Sequence, residues 1–119
     1  MLEAALGPTH LEVGTLHFDI GRSLLAKGDY ALAIASLEQS LAIREPVQGS
    51  THAHVGLILA AIGQAQIELG QRDAARESLT RALTIGELQA DAELSAAARE
   101  QLGRLDALGR EAISRPSRR

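Results

Sequence analysis

Apolar side chains recur at three- and four-residue steps in five successive stretches of this chain, separated by short breaks that carry Gly, Pro, Asp or Thr. That period is the face of a helix, and no stretch alternates strictly over a strand length. The first stretch holds Val13, Leu16, Ile20 and Leu24, with Phe18 at its edge. Thr9 offers it an N-cap, and Glu12 three residues on completes a capping box in which two side chains satisfy backbone N–H groups reciprocally. Gly28 supplies a left-handed residue after the last turn, so this helix is predicted to end at about Lys27. Asp29 can cap the next helix, where Tyr30, Ala33, Leu37, Leu41 and Arg44 share a stripe that Ile34 and Ile43 widen. Pro46 and Gly49 are expected to close it. Thr51 opens a third helix over about Ala53 to Leu69, and a fourth follows over about Asp73 to Leu88. A fifth, over about Asp91 to Arg110, carries the seam Leu94, Ala98, Leu102, Leu105, Leu108 and Ala112. Connections of two or three residues force neighbouring helices into antiparallel hairpins. The expectation is an all-α chain, five helices without a strand, with turns at about residues 7–10, 28–30, 46–52, 70–73 and 88–91. Ahead of them Leu2, Ala5 and Leu6 have helical spacing before Gly7-Pro8, so the chain is expected to begin inside a larger array.

The stretch from Gly7 to Glu45 returns from Gly49 to Glu87 at a fixed offset of 42 residues, without a gap. Matched pairs include Gly7/Gly49, Thr9/Thr51, His10/His52, Gly14/Gly56, Ile20/Ile62, Gly21/Gly63, Gly28/Gly70, Ala33/Ala75 and Leu37/Leu79. Inside each copy a bulky residue, an apolar residue and a Gly are followed by Ala-x3-Leu: His17, Ile20, Gly21, Leu24, Ala33 and Leu37, then Leu59, Ile62, Gly63, Gln66, Ala75 and Leu79. Gly21 and Gly63 on the first helix, with Ala33 and Ala75 on the second, are small where two helix backbones must approach closely.

This spacing resembles the tetratricopeptide repeat, and the 42-residue length with the linker Leu6-Gly7-Pro8-Thr9-His10 is similar to the longer variant found in kinesin light chains. The resemblance covers residues 1–88. The fifth helix departs from it, because Gly103 follows Gly63 by 40 residues and no second helix follows. The organisation expected is two full repeats, 7–48 and 49–90, a partial or capping helix 91–112, and a disordered basic tail 113–119. What the resemblance implies is a superhelical solenoid of antiparallel hairpins whose first helices line a concave groove for a protein or peptide ligand. Its groove positions fall on Thr15, Phe18, Asp19, Arg22, Leu25 and Ala26, and on Leu57, Ala60, Ala61, Gln64, Ile67 and Glu68. The Lys and Asn residues with which some members clamp a C-terminal carboxylate are missing: Phe18 and Ala60 stand at the Lys position, and Arg22 and Gln64 at an Asn position.

Composition narrows the alternatives. Lys+Arg 12 against Asp+Glu 15 gives a net charge of -3, without the basic excess that a phosphate backbone requires, so nucleic acid is not expected. The basic residues Arg104, Arg110, Arg115, Arg118 and Arg119 gather at the C-terminal end, whose last residues, 114–119, lack apolar anchors, so a solvated tail is expected there. With Cys 0, disulfides and thiolate metal sites are excluded. No apolar run reaches the roughly 18 to 20 residues of a membrane span and no charged-then-apolar leader opens the chain, so a cytoplasmic protein without membrane contact is expected. His52-x-His54 with the repeat-equivalent His10 is the candidate metal cluster, but a linker imidazole that bonds the backbone of the turn is the better reading. Asp73 with Arg76, and Glu77 with Arg81, are at helical spacing for solvated ion pairs. No catalytic constellation or phosphate loop is found, so neither an enzyme nor a cofactor is expected. Self-association through the array ends, with the groove idle, is the competing expectation.

Overall fold

The computed structural model describes residues 11–114, with side chains described through residue 111. They form α1 (Leu11–Lys27), α2 (Tyr30–Gln48), α3 (Ala53–Glu68), α4 (Arg72–Leu88) and α5 (Ala92–Ser114), with no strand among the described residues. The Met1–Leu6 helix end, the Thr9–Glu12 capping box, His10 and residues 115–119 of the tail lie outside the described residues. Helices α1 and α2 pack as one hairpin and α3 and α4 as a second, while α3 also rests on α2 and α5 on α4. The result is an all-α tetratricopeptide-like superhelix.

Glycine and alanine set the approach of each hairpin. A Cβ on Gly21 would lie 2.6 Å from Leu37 Cγ, and one on Gly63 would lie 2.6 Å from Leu79 Cγ. Ala33 and Ala75 are fully buried at the same contacts. Leu37 and Leu79 thus fill space that any side chain on those glycines would need.

The helix ends refine the sequence expectations. Helix α2 runs through Pro46 to Gln48, beyond the expected exit. Proline withholds one N–H from the last turn without ending it; the chain leaves the helix where Gly49 adopts φ 99 and its N–H bonds the Glu45 carbonyl at 2.9 Å. Asp29 stands at the N-cap of α2, but with ψ 70 its carboxylate makes no capping bond. The cap of α3 is His52, whose Nδ1 accepts the His54 N–H at 3.0 Å, and Asp91 caps α5 by accepting the Leu94 N–H at 3.0 Å.

Burial departs from the expected stripe on α1, where Leu16 is 57% exposed and Ile20 40% exposed. Their repeat equivalents Ile58 and Ile62 are buried with Leu37 against α2. An apolar stripe is buried where a preceding second helix covers it, and none does so for α1 among the described residues. The expected ion pairs also change partners: Arg76 reaches Asp106 at 2.9 Å and Arg81 reaches Glu45 at 3.1 Å, each on a neighbouring helix instead of its own. Arg99–Glu87 and Arg104–Glu68 bridge α5 to α4 and α3 in the same way.

Candidate functional site

The first helix of each hairpin and α5 present equivalent faces to one cleft. Its volume is ≈ 380 Å³, and it is lined by Phe18, Arg22, Leu25 and Ala26 of α1, by Leu57, Ala60, Ala61 and Gln64 of α3, and by Ala97, Glu100 and Gln101 of α5. Steps of three and four residues keep each set on one side of its helix. The repeat offset aligns them into rows across the cleft, Phe18–Ala60–Glu100 in one and Thr15–Leu57–Ala97 in another. Four of the lining residues are alanines, so the Phe18 ring and the Leu57 side chain, 41% exposed, are among its larger apolar groups.

Charge is divided between the two rims. The Arg22 guanidinium lies 5.7 Å from the centroid of the Phe18 ring, within the range of a cation–π contact. Glu100 stands on the opposite wall, and neither Arg22 nor Glu100 forms an ion pair with another described residue. Among the described residues, an unpaired cation and an unpaired anion thus flank an apolar centre.

Of the twelve groove positions expected from the sequence, Phe18, Arg22, Leu25, Ala26, Leu57, Ala60, Ala61 and Gln64 line this cleft. Ile67 does not. It is 5% exposed and packs with Ala75, Leu79 and Leu105, because α5 lies over this end of α3. Glu68 is exposed but is engaged by Arg104 at 2.6 Å, and exposed Asp19 lies outside the lining. Thr15 sits at the head of the cleft, where its hydroxyl donates to the Leu11 carbonyl at 3.2 Å and accepts from Arg44 Nη2. The α5 wall of Ala97, Glu100 and Gln101 was not foreseen. The signal was present in the 40-residue step from Gly63 to Gly103, which carries Leu57, Ala60 and Ala61 onto those three positions.

Below Phe18 the second helix adds a polar node. Arg44 is 8% exposed; its Nη1 donates to Gln48 Oε1 at 3.1 Å and meets His54 Nδ1 at 3.2 Å. Gln48 Nε2 also reaches His54 Nδ1, at 3.4 Å, so that nitrogen is the acceptor and the neutral ring carries its proton on Nε2. Burial first, then the charge of Arg44 and the neighbouring His52, push the His54 pKa below 6.5. The His52 and His54 rings lie 4.9 Å apart, tilted by 40°, with both Nδ1 lone pairs committed to hydrogen bonds. Among the described residues no three His, Cys, Asp or Glu side chains are grouped to hold a metal ion.

Stacked antiparallel hairpins that share one continuous cleft define a helical-repeat scaffold, a class that works through surface shape. A tetratricopeptide-repeat family model matches residues 12–88, and the chain belongs to that family. Repeats of this family generally mediate protein–protein interaction or scaffolding and are generally non-catalytic. No curated protein matches the chain significantly. No helix among the described residues is long and apolar enough to cross a membrane.

Proposed function

We propose that this chain is a non-catalytic, cytoplasmic protein-binding module that holds a peptide or helix in the cleft between α1, α3 and α5. The observation that carries this reading is the pairing of half-buried Phe18 and exposed Leu57 with the charges of Arg22 and Glu100, unpaired among the described residues, in a cleft otherwise lined largely by alanines. A segment with one apolar anchor flanked by both charge signs fits it. Aromatic and Arg residues carry a disproportionate share of interface energy, so Phe18→Ala with Arg22→Ala should weaken a selected peptide by roughly tenfold or more at unchanged helicity. Glu38→Ala with Thr80→Ala, exposed on the second helices, should leave affinity unchanged. Selection from a displayed peptide library followed by calorimetry checks both. Loss of binding in the second pair and not the first would move the functional surface to the other side of the array.

A second reading is self-association through the α1 edge, and it is favoured by the exposure of Leu16 and Ile20 where their repeat equivalents are buried. The far edge offers less. A Cβ on Gly103 would meet nothing within 4 Å, and Arg99 and Asp106 occupy the positions equivalent to Leu59 and Gln66.

A further inference from the structure

The two repeat junctions are built from different chemistry. At the first, Arg44 of α2 meets Thr15 of α1 and His54 of α3. The equivalent positions at the second junction hold Gly86, Leu57 and Leu94. There Leu94 is 1% exposed and belongs to the cluster of Val55, Leu59, Ala82 and Ile85. Closing a junction in this fold therefore does not require a guanidinium; there Leu94 packs against Gly56, where a Cβ would lie 2.5 Å from its Cδ2, and Ser95 lies against Gly86.

Arg44 is left in an unusual electrostatic position. A guanidinium has five N–H donors, and three contacts are made, to Gln48, His54 and Thr15, all of them neutral. No described carboxylate pairs with it, since nearby Glu45 is taken by Arg81 and Asp19 does not reach it. Burying a cation without a counter-charge is unfavourable, so the site gains most from an anion brought to it. A cleft of ≈ 20 Å³ opens beside the head group, lined by Phe18, Arg44, His54, Leu57 and Ile58. It shares Phe18 and Leu57 with the large cleft, the two side chains against which an apolar anchor would sit. Its size suits about one water-sized group, a carboxylate oxygen and not a tetrahedral phosphate. Because His54 takes its bonds at Nδ1, its Nε2–H is a second donor.

We propose that Arg44 and His54, with Thr15 positioning the guanidinium, form a carboxylate subsite at the head of the groove, which accepts an Asp or Glu side chain of the partner next to the apolar residue held by Phe18 and Leu57. This rests on the groove reading above. It also distinguishes the two rims: the acidic end of the bound segment lies at the α1–α2 junction and the basic end toward Glu100.

The test is nuclear magnetic resonance of the intact chain at fixed pH, titrated separately with acetate, acetamide and inorganic phosphate, and read at the Arg44 guanidinium and His54 imidazole. Saturable shifts with acetate and none with acetamide support the subsite; no response to acetate, or an equal response to phosphate, overturns it. A second arm compares two capped hexapeptides, one with a central Leu-Glu pair and one with Leu-Gln. The Glu peptide should bind about tenfold tighter or more, since hydrogen bonds to a charged acceptor are stronger than those to a neutral amide. A Leu-Gln peptide with a free C-terminal carboxylate that matches the Glu peptide would overturn the side-chain assignment. Equal affinities with shifts at Phe18 and Leu57 overturn the subsite and keep the groove, whereas an acetate response without any peptide shift at Phe18, Leu57 or Ala60 overturns the groove reading and keeps an anion site. Arg44→Gln should abolish the Glu preference. Thr15→Val and His54→Gln, at exposed positions, should each reduce it if Arg44→Gln does not fold.

Discussion

Ala90 holds φ 54 at the end of α4, the left-handed conformation that Gly28 and Gly70 hold, at φ 87 and 77, at the ends of α1 and α3. At each of the three ends a 6→1 bond closes the cap: Asp29 N–H to the Leu24 carbonyl, Gln71 N–H to Gln66, and Asp91 N–H to Gly86. An L side chain in that region costs roughly 1 to 2 kcal/mol, partly returned by the smaller backbone entropy of alanine, so Ala90→Gly is expected to stabilise by about 0.5 to 1 kcal/mol. A thermal midpoint that falls would show that the alanine is not strained. His54 offers a test in pH. Its folded pKa lies below 6.5, so the unfolded chain binds a proton more readily, and stability is full above pH 6.5 and falls as the solution is acidified through the folded pKa. His54→Gln should flatten that fall in thermal melts collected from about pH 7.5 to 5; an unchanged profile would assign it to other groups. The linker role of His52 was legible from its repeat position. The direction of the His54 shift was not, because Arg44 lies ten residues away in sequence and meets it only across two helices.

At the scale of elements, the register of the hairpins rests on the glycines that admit Leu37 and Leu79. Gly63→Leu should destabilise by about 1 to 3 kcal/mol, because even a Cβ would overlap Leu79, whereas Glu68→Leu should cost less than about 1 kcal/mol, the worth of an exposed ion pair with Arg104. Equal denaturation midpoints for the two variants would refute this register. The five helices and their order could be read from period and punctuation, since a 3.6-residue stripe bounded by Gly or a capping residue leaves few alternatives. Ends that depend on backbone geometry could not: Pro46 reads as a stop and is the third residue from the end of α2. Helix α5 reads as a cap, yet it supplies a full wall of the cleft, and three ion pairs fasten it to α3 and α4.

At the scale of the whole molecule, the two edges of the array differ. Helix α1 leaves Leu16 and Ile20 exposed, while the exposed positions of α5 include Gly103 and the charged Arg99 and Asp106, which pair with α4. If the α1 edge drives association, sedimentation should show a mass that rises with concentration, and Leu16→Lys with Ile20→Lys should return it to a monomer without affecting peptide binding in the cleft. A constant monomer mass for the parent chain would leave the cleft as the working surface. The sequence by itself determined the helices, the hairpin pairing, the repeat and the family, because these follow from local periodicity and from small residues at fixed spacing. Eight of the cleft residues followed from the same register. Tertiary structure alone decided which apolar stripes are covered, as with buried Ile67 against exposed Leu16, and which charges find partners across helices. It alone brought Arg44, Thr15 and His54 together. Burial and charge pairing depend on the neighbour that arrives from a distant part of the chain, and a one-dimensional pattern records the face each helix offers but not what comes to rest against it.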